Sequence, residues 1–365
     1  MLAWGARGFG LEITARCHYH SDLKTSGRPD APHNRGGVSA FLREGLYSMS
    51  GHQAQTTVLD DGIVAIDTEY ARPLQDASHL IVEGGRAAFV DTGVNSSVPL
   101  LIDALAQQGL DVGDVDYVFL THVHLDHAGG AGLLMQHLPN ASCVVHRYGA
   151  PHMIDPGKLV AGTEAVYGEE QTRSVYGVIE PIHPSRIIIP EDEQWLDLNG
   201  RAMQAINTEG HARHHYVLND PQSKGVFSGD SFGVSYRELD TAKGEFIIPT
   251  TTPVQFDPEE AHKSVDRIMA CEPEQVYLTH YSRVRNLGRL AADMHDGIDA
   301  FVAMARDHQG AENRTEQLSA SMFEYFVQRL TEHGYSGDRE MMFSILSIDV
   351  DLNTQGLEVW LSKQV

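Results

Sequence analysis

Between residue 56 and about residue 285 the chain alternates short apolar runs with turn residues, the rhythm of a strand-rich domain. Residues 62–67 alternate apolar and polar positions. Residues 79–83 (HLIVE) and 87–91 (AAFVD) read as strands joined by a hairpin turn at Gly84-Gly85. Residues 98–108 carry helical spacing and lead to an apolar strand at 117–120 (YVFL). A helix at 131–138 and a strand at 142–145 follow, then an irregular excursion over 151–184 that is dense in breakers. Strands resume at 186–189, 202–207, 216–218 and 225–228. Asp257, Pro258 and Glu260 carry the start signals of a helix that runs to about Ala270, ahead of a strand at 275–278. From Asn286 the spacing turns helical to the end, over 286–306, 315–332 and 339–363.

Residues 1–55 lack this rhythm. The stretch 24–37 (KTSGRPDAPHNRGG) is loop-like, residues 38–47 carry a weak helical pattern, and His18 and His20 lack the further convergent ligands that a metal site needs. The pattern therefore divides the chain into a partly disordered N-terminal extension (1–55), a mixed domain (56–290) and a helical C-terminal region (291–365).

Composition narrows the class. Of 365 residues, 42% are hydrophobic and 8% aromatic, which marks a globular chain. Lys and Arg total 27 against 50 Asp and Glu, a net charge of −23 that repels nucleic acid and anionic membranes alike. Three cysteines, Cys17, Cys143 and Cys271, form no complete disulfide set, so a reduced, cytoplasmic setting is expected. The opening 17 residues lack the continuous apolar core of a signal peptide, and no run is long enough to span a bilayer.

The chemistry concentrates where the strand at 117–120 runs into Thr121-His122-Val123-His124-Leu125-Asp126-His127. On extended backbone His122 and His124 project to one side, and Asp126 and His127 follow in a turn that reaches a second point nearby. Three more candidate ligands each stand where a predicted strand stops: His211 after 202–207, Asp230 in Ser228-Gly229-Asp230, and His280 in Thr279-His280. Taken together they offer enough ligands for two catalytic cations, each of which keeps a position for water.

HxHxDH, Gly-His, Ser-Gly-Asp and Thr-His in this order, with spacings of 84, 19 and 50 residues after His127, resemble the metallo-β-lactamase superfamily, and its glyoxalase II and lactonase-like branches in particular. The resemblance covers residues 56 to about 285. It implies an α+β fold, an αββα metallo-β-lactamase sandwich with a C-terminal helical extension. It implies a first metal on His122, His124 and His211, a second on Asp126, His127 and His280, and Asp230 bridging them. The metals would be zinc, two per chain, although iron or manganese also suits such ligands. Asp91, in Asp91-Thr92-Gly93, would fix a ligand histidine from behind. Where many members read Gly-His-Thr-Pro-Gly-His, this chain reads Gly210-His211-Ala212-Arg213-His214-His215, which makes His215 a supporting residue and Arg213 a solvated loop residue in preference to one at the substrate entrance.

The function so implied is hydrolysis of a small-molecule thioester, lactone or related ester by a metal-bridging hydroxide, with Asp126 orienting it as the catalytic carboxylate. Phe232, Tyr236, Arg237, Tyr281 and Arg283, on loops leaving the ligand-bearing strands, are candidate substrate contacts. The tail resembles the helical substrate-binding region of glyoxalase II but is poor in Lys and has acidic residues at Asp349 and Asp351. It also offers a surface for a homodimer. A competing expectation is a mononuclear iron oxygenase of the persulfide dioxygenase type, in which two His and one Asp suffice. A non-enzymatic metabolite sensor and a nuclease of the same fold are disfavoured by the complete ligand set and by the charge, respectively.

Overall fold

The structure is a computed structural model that describes residues 53–251 and 255–364. The expectations for residues 1–52, including the His18/His20 pair and the helix at 38–47, lie outside the described residues.

Seven strands form one sheet in chain order: β1 (Thr56–Val58), β2 (Ile63–Asp67), β3 (Ala77–Glu83), β4 (Arg86–Val90), β5 (Val115–Leu120), β6 (Ser142–Val145) and β7 (Ile187–Ile188). β1 to β4 pair antiparallel, and β4 to β7 parallel. A second sheet holds β8 (Gln194–Leu198), β9 (Arg201–Asn207), β10 (Tyr216–Asp220), β11 (Gly225–Gly229), β12 (Gln275–Leu278) and β13 (Ser282–Val284), in the order β13-β12-β11-β10-β9-β8. Only β11 and β12 pair parallel there, because α7 (Pro258–Ala270) makes the crossover between them.

Side-chain alternation explains the stacking of the layers. In β4, Ala88 and Val90 enter the core between the sheets together with Phe119 of β5, where they meet Tyr216, Leu218, Phe227 and Tyr277 from the second sheet. The intervening Ala87 and Phe89 face outward onto α1 (Val98–Gln107) and α3 (Ala131–His137) through Leu101, Leu105 and Leu134. On the other side Val217, Val226, Val276 and Leu278 pack on α7 and α8 (Leu287–Asp307) through Val265, Ile268, Leu290 and Met294. Both faces of each sheet are thus covered, which is why the central strands read as continuous apolar runs. The result is an αββα sandwich.

α9 (Arg314–His333) and α10 (Arg339–Ser362) complete the chain. Phe301 of α8, Phe326 of α9 and Leu346 and Trp360 of α10 form a core with Val234, Tyr236, Phe246 and Phe256 from the segment that follows β11. Each buried side chain of that size contributes about 1.5–3 kcal/mol, so the tail is bound firmly to the sandwich.

Three readings are corrected. The excursion over 151–184 contains three helices, α4 (Ala150–Ile154), α5 (Gly157–Tyr167) and α6 (Glu169–Tyr176); Pro151, Gly168 and Gly177 start and stop these helices rather than prevent them. Residues 62–67 do not alternate in burial, because β2 is enclosed on both faces. The strands β1, β8 and β13 lacked a clear signal: β1 and β13 are three residues long, and β8 lies at a sheet edge. Among the described residues no helix is long and apolar enough to cross a membrane.

Candidate metal centre

β5 ends at Leu120, and the next backbone N–H, that of Thr121, donates to Asp91 Oδ1 at 2.8 Å. This bond turns the chain out of the sheet and presents His122 and His124. α2 (Leu125–Ala128), a single turn, then places Asp126 and His127. β9, β11 and β12 deliver the remaining candidates, with His211, Asp230 and His280 in the residues beyond their ends. Two glycines let these loops meet. A Cβ at Gly229 would lie 2.6 Å from Thr121 Oγ1 and 2.7 Å from His215 Nε2, and one at Gly210 would lie 2.4 Å from the Ala261 backbone nitrogen. Both also take positive φ, so the Ser-Gly-Asp and Gly-His dipeptides have a steric cause.

The seven candidate ligands converge. His124 Nδ1 lies 2.8 Å from His122 Nε2 and 3.1 Å from His211 Nε2. Asp126 Oδ2 lies 3.6 Å from His127 Nε2 and 3.7 Å from His280 Nε2. Asp230 stands between the two groups, with Oδ1 3.3 Å from His127 Nε2 and 3.4 Å from His280 Nε2, and Oδ2 3.5 Å from His211 Nε2. Three overlapping triads, His122/His124/His211, His122/His127/Asp230 and Asp126/His127/His280, each have ligand atoms within 4.8 Å of one another.

The atoms themselves show that a cation fits. His127 Nε2 and Asp230 Oδ1 are buried without a hydrogen-bond partner, although they lie 3.3 Å apart. Two buried polar atoms left without a partner this close together suit the ligands of one ion. Behind them the other ring nitrogens are held. His127 Nδ1 is 2.9 Å from Asp91 Oδ2, His280 Nδ1 is 2.7 Å from Asp76 Oδ1, and His211 Nδ1 is 2.6 Å from Thr250 Oγ1. A carboxylate on Nδ1 keeps one proton there, so Nε2 is the nitrogen left to take a second proton or a cation.

Charge divides the cluster in two. Burial, reinforced by neighbouring histidines, lowers His122 well below the usual range, His124 to about 3 and His211 to about 4, so these three are neutral as metal ligands must be. Burial also opposes protonation of His127 and His280, but carboxylates outweigh it. Asp230, Asp126 and Asp91 raise His127, and Asp76 and Asp230 hold His280 up to about 10. Four carboxylates around two imidazoles make a place that demands positive charge.

Asp91 and His215 both stand behind the ligands. Asp91 accepts from Thr121, Thr279 and His127. His215, fully buried, receives the Asp230 backbone N–H at 3.2 Å and meets Thr208 and Ser231. Asp76 was not foreseen from sequence. It lies in a turn before β3 with no spacing signal, and it reaches His280 because Ala77 N–H donates to Thr279 O at 2.7 Å.

A cavity of about 430 Å³ opens on the cluster, reaching His124, Asp126, Asp230 and His280, and is walled by Tyr70, Leu159, Tyr176, Tyr236, Asp349 and Leu352. Of the five proposed substrate contacts only Tyr236 lines it. Phe232 is wholly in the core, Tyr281 is buried, Arg237 turns back to the Ser235 carbonyl and Arg283 pairs with Asp60. Arg213 is exposed and does not line the cavity.

The family model of the metallo-beta-lactamase superfamily matches residues 71–280, the span that carries all seven residues. The chain belongs to the metallo-beta-lactamase superfamily. A metallo-beta-lactamase fold-containing protein of Sulfurisphaera tokodaii is 32% identical over 197 residues, 52% of this chain and 67% of the relative. An atrochrysone carboxyl ACP thioesterase of Aspergillus chevalieri is 25% identical over 158 residues, 42% of this chain and 39% of the relative. The fold is shared with a superfamily protein of Sulfolobus tokodaii (TM-score 0.58, 24% identity, 82% of this chain and 99% of that one) and with one of Thermus thermophilus (TM-score 0.58, 19% identity, 83% and 94%).

Proposed function

We propose that this member of the metallo-beta-lactamase superfamily is a dinuclear metal-dependent hydrolase of a small thioester, lactone or related ester, of the glyoxalase II or lactonase-like kind. The observation that carries the reading is the Asp230 carboxylate, whose Oδ1 lies near His127 and His280 and whose Oδ2 lies near His211, one oxygen for each ligand group. The first ion would rest on His122, His124 and His211, and the second on Asp126, His127 and His280, with zinc the ion best suited to such ligands. Two divalent cations there would supply Lewis acidity, acidifying water and polarising an ester carbonyl.

The chain's own residues do the rest. Asp126, whose side chain is 25% exposed while His127 is enclosed, is the carboxylate of the second triad that reaches the cavity. In this reading it orients the attacking water and holds its proton. Tyr70, Leu159, Tyr176 and Leu352 give the cavity an apolar wall that suits an acyl group and excludes bulk water. The thioesterase relative supports an ester-like carbonyl substrate.

The test is turnover of a panel of simple thioesters and lactones by the purified, metal-loaded protein. Hydrolysis abolished by chelation and restored by zinc is expected, with Asp230→Asn losing at least one ion and about 10²-fold or more in kcat. Full activity of Asp230→Asn with both ions still bound would exclude Asp230 as the bridge.

A further inference from the structure

One histidine of the cavity belongs to neither ligand group. His214 follows the His211 turn, is 7% exposed and lines the cavity. Its ring lies parallel to that of His122, with centroids 6.0 Å apart and planes at 11°, and stands perpendicular to that of His124 at 5.4 Å. In the run 210–215 it takes the place where many superfamily members carry glycine, which offers no side chain there. A backbone bond sets which of its nitrogens carries the proton. The Val123 N–H donates to His214 Nδ1 at 3.3 Å, and since a backbone amide can only donate, Nδ1 is a lone pair. The ring is therefore neutral, with its one proton on Nε2. That N–H makes no hydrogen bond among the described residues and belongs to a side chain that borders the cavity.

Charge decides what such a donor serves. The first ligand group, His122, His124 and His211, consists of imidazoles and touches the shared Asp230, whose Oδ2 is 3.5 Å from His211 Nε2. The second contains Asp126 itself and has Asp91 behind His127 and Asp76 behind His280. Negative charge developing on an acyl oxygen is repelled by the carboxylates of the second group and is better placed beside the first, where the His214 N–H stands. The other donors of the cavity are less free. The Tyr70 and Tyr176 hydroxyls share a hydrogen bond of 3.0 Å, and Lys158 is exposed.

We propose that His214 is a catalytic residue whose Nε2–H donates to the acyl oxygen of the bound ester, on the side of His122, His124 and His211, a role that rests on the hydrolase reading. Attack of water forms the bond from its oxygen to the acyl carbon, moves the C=O π pair onto the acyl oxygen and passes a proton to Asp126. The hydrogen bond from His214 strengthens as that charge accumulates, because a fixed donor favours the oxyanion over the carbonyl. Collapse re-forms the C=O, breaks the bond to the thiolate or alkoxide and returns the proton to it. His214 itself gives up no proton. Its Nδ1, occupied by the Val123 N–H, holds the ring as a fixed dipole.

The experiment compares metal-loaded wild type with His214→Gln, His214→Asn and His214→Gly in metal content, kcat and KM on the thioester and lactone panel. The amide nitrogen of Gln reaches the place of Nε2, and the amide oxygen of Asn the place of Nδ1. The donor is therefore kept in Gln and lost in Asn and Gly. In the latter two kcat should fall about 10²-fold or more with metal content unchanged, while Gln stays within about tenfold of wild type. A bond to Val123 that serves structure alone gives the reverse order, with Asn active and Gln impaired, and overturns the proposal. A second readout needs no turnover: the infrared C=O band of a bound ketone analogue, with CH₂ in place of the ester sulfur or oxygen, should move to higher frequency in Asn and Gly. An active wild type whose Asn and Gly variants keep both kcat and the band overturns the role of His214 alone. A wild type that turns over no member of the panel overturns the hydrolase reading and this role with it.

Discussion

Asp76→Ala isolates the contribution of a residue that never touches the proposed ions. Asp76 is fully buried, and its Oδ1 holds His280 Nδ1 at 2.7 Å, the shortest of the carboxylate contacts that support a ligand histidine. Without it, His280 is free to move its proton to Nε2 or to turn its ring, and either change removes one of three ligands from the second triad. Loss of such an orienting carboxylate typically costs 10–100-fold in metal affinity, about 1.4–2.7 kcal/mol. The first triad, held by Thr250 and Thr121, is untouched. Competition against a chromophoric chelator should therefore show the weaker of two dissociation constants rising 10–100-fold while the tighter one stays within about twofold. Asp76→Asn, which keeps an acceptor but not the charge, should fall between. Circular dichroism confirms folding of each variant. Two unchanged constants in a folded Asp76→Ala protein would refute the idea that Asp76 governs His280 as a ligand.

Two further outcomes follow from the tail. Asp349, on α10, accepts from Tyr236 Oη at 3.1 Å, and burial raises its carboxyl to about 6 from 3.8. A raised folded-state value means that the folded form binds more protons, so this stabilisation is present at low pH and disappears as pH rises from about 4 through 6. The span is on the order of 2–3 kcal/mol. The urea midpoint of Asp349→Asn relative to wild type should accordingly rise between pH 4.5 and pH 7; a constant difference would refute the assignment. Deleting residues after Gln309 strips the partners from Phe301, Tyr236 and Phe256 and removes the Asp349 and Leu352 wall of the cavity. Loss of solubility, or a raised KM if the protein folds, is expected, and unchanged solubility and KM would show the tail to be dispensable.

How much of this was legible in the sequence depends on whether a role was local. HxHxDH follows an apolar strand, so one short window contains both the ligands and the element that presents them. His211, Asp230 and His280 were findable because each stands where a strand stops, although only folding sets Asp230 3.3–3.5 Å from ligands of both groups. Asp76 had no such window, as its role arises from a backbone bond between Ala77 and Thr279, which are far apart in sequence. Aromatic residues near ligands proved a poor guide to the cavity. Phe232 faces the core, whereas Tyr70 and Leu159, distant in sequence, line the cavity. The helices of 150–176 were hidden by prolines and glycines that act as caps, a distinction set by position in the helix rather than by composition.

The central claim is that one chain holds two ions through a shared carboxylate. Metal content per chain, measured on wild type and on His280→Ala alongside thioester or lactone turnover, tests it most directly. His280 belongs to the second triad alone, and without it that ion keeps only His127, Asp126 and the shared Asp230. Two divalent ions are expected in the wild type, with a fall toward one in the variant and a loss in kcat/KM of about tenfold or more, equivalent to about 1.4 kcal/mol. A wild type holding a single iron, retained by His280→Ala with oxygen-dependent turnover intact, would contradict it and establish the mononuclear oxygenase instead.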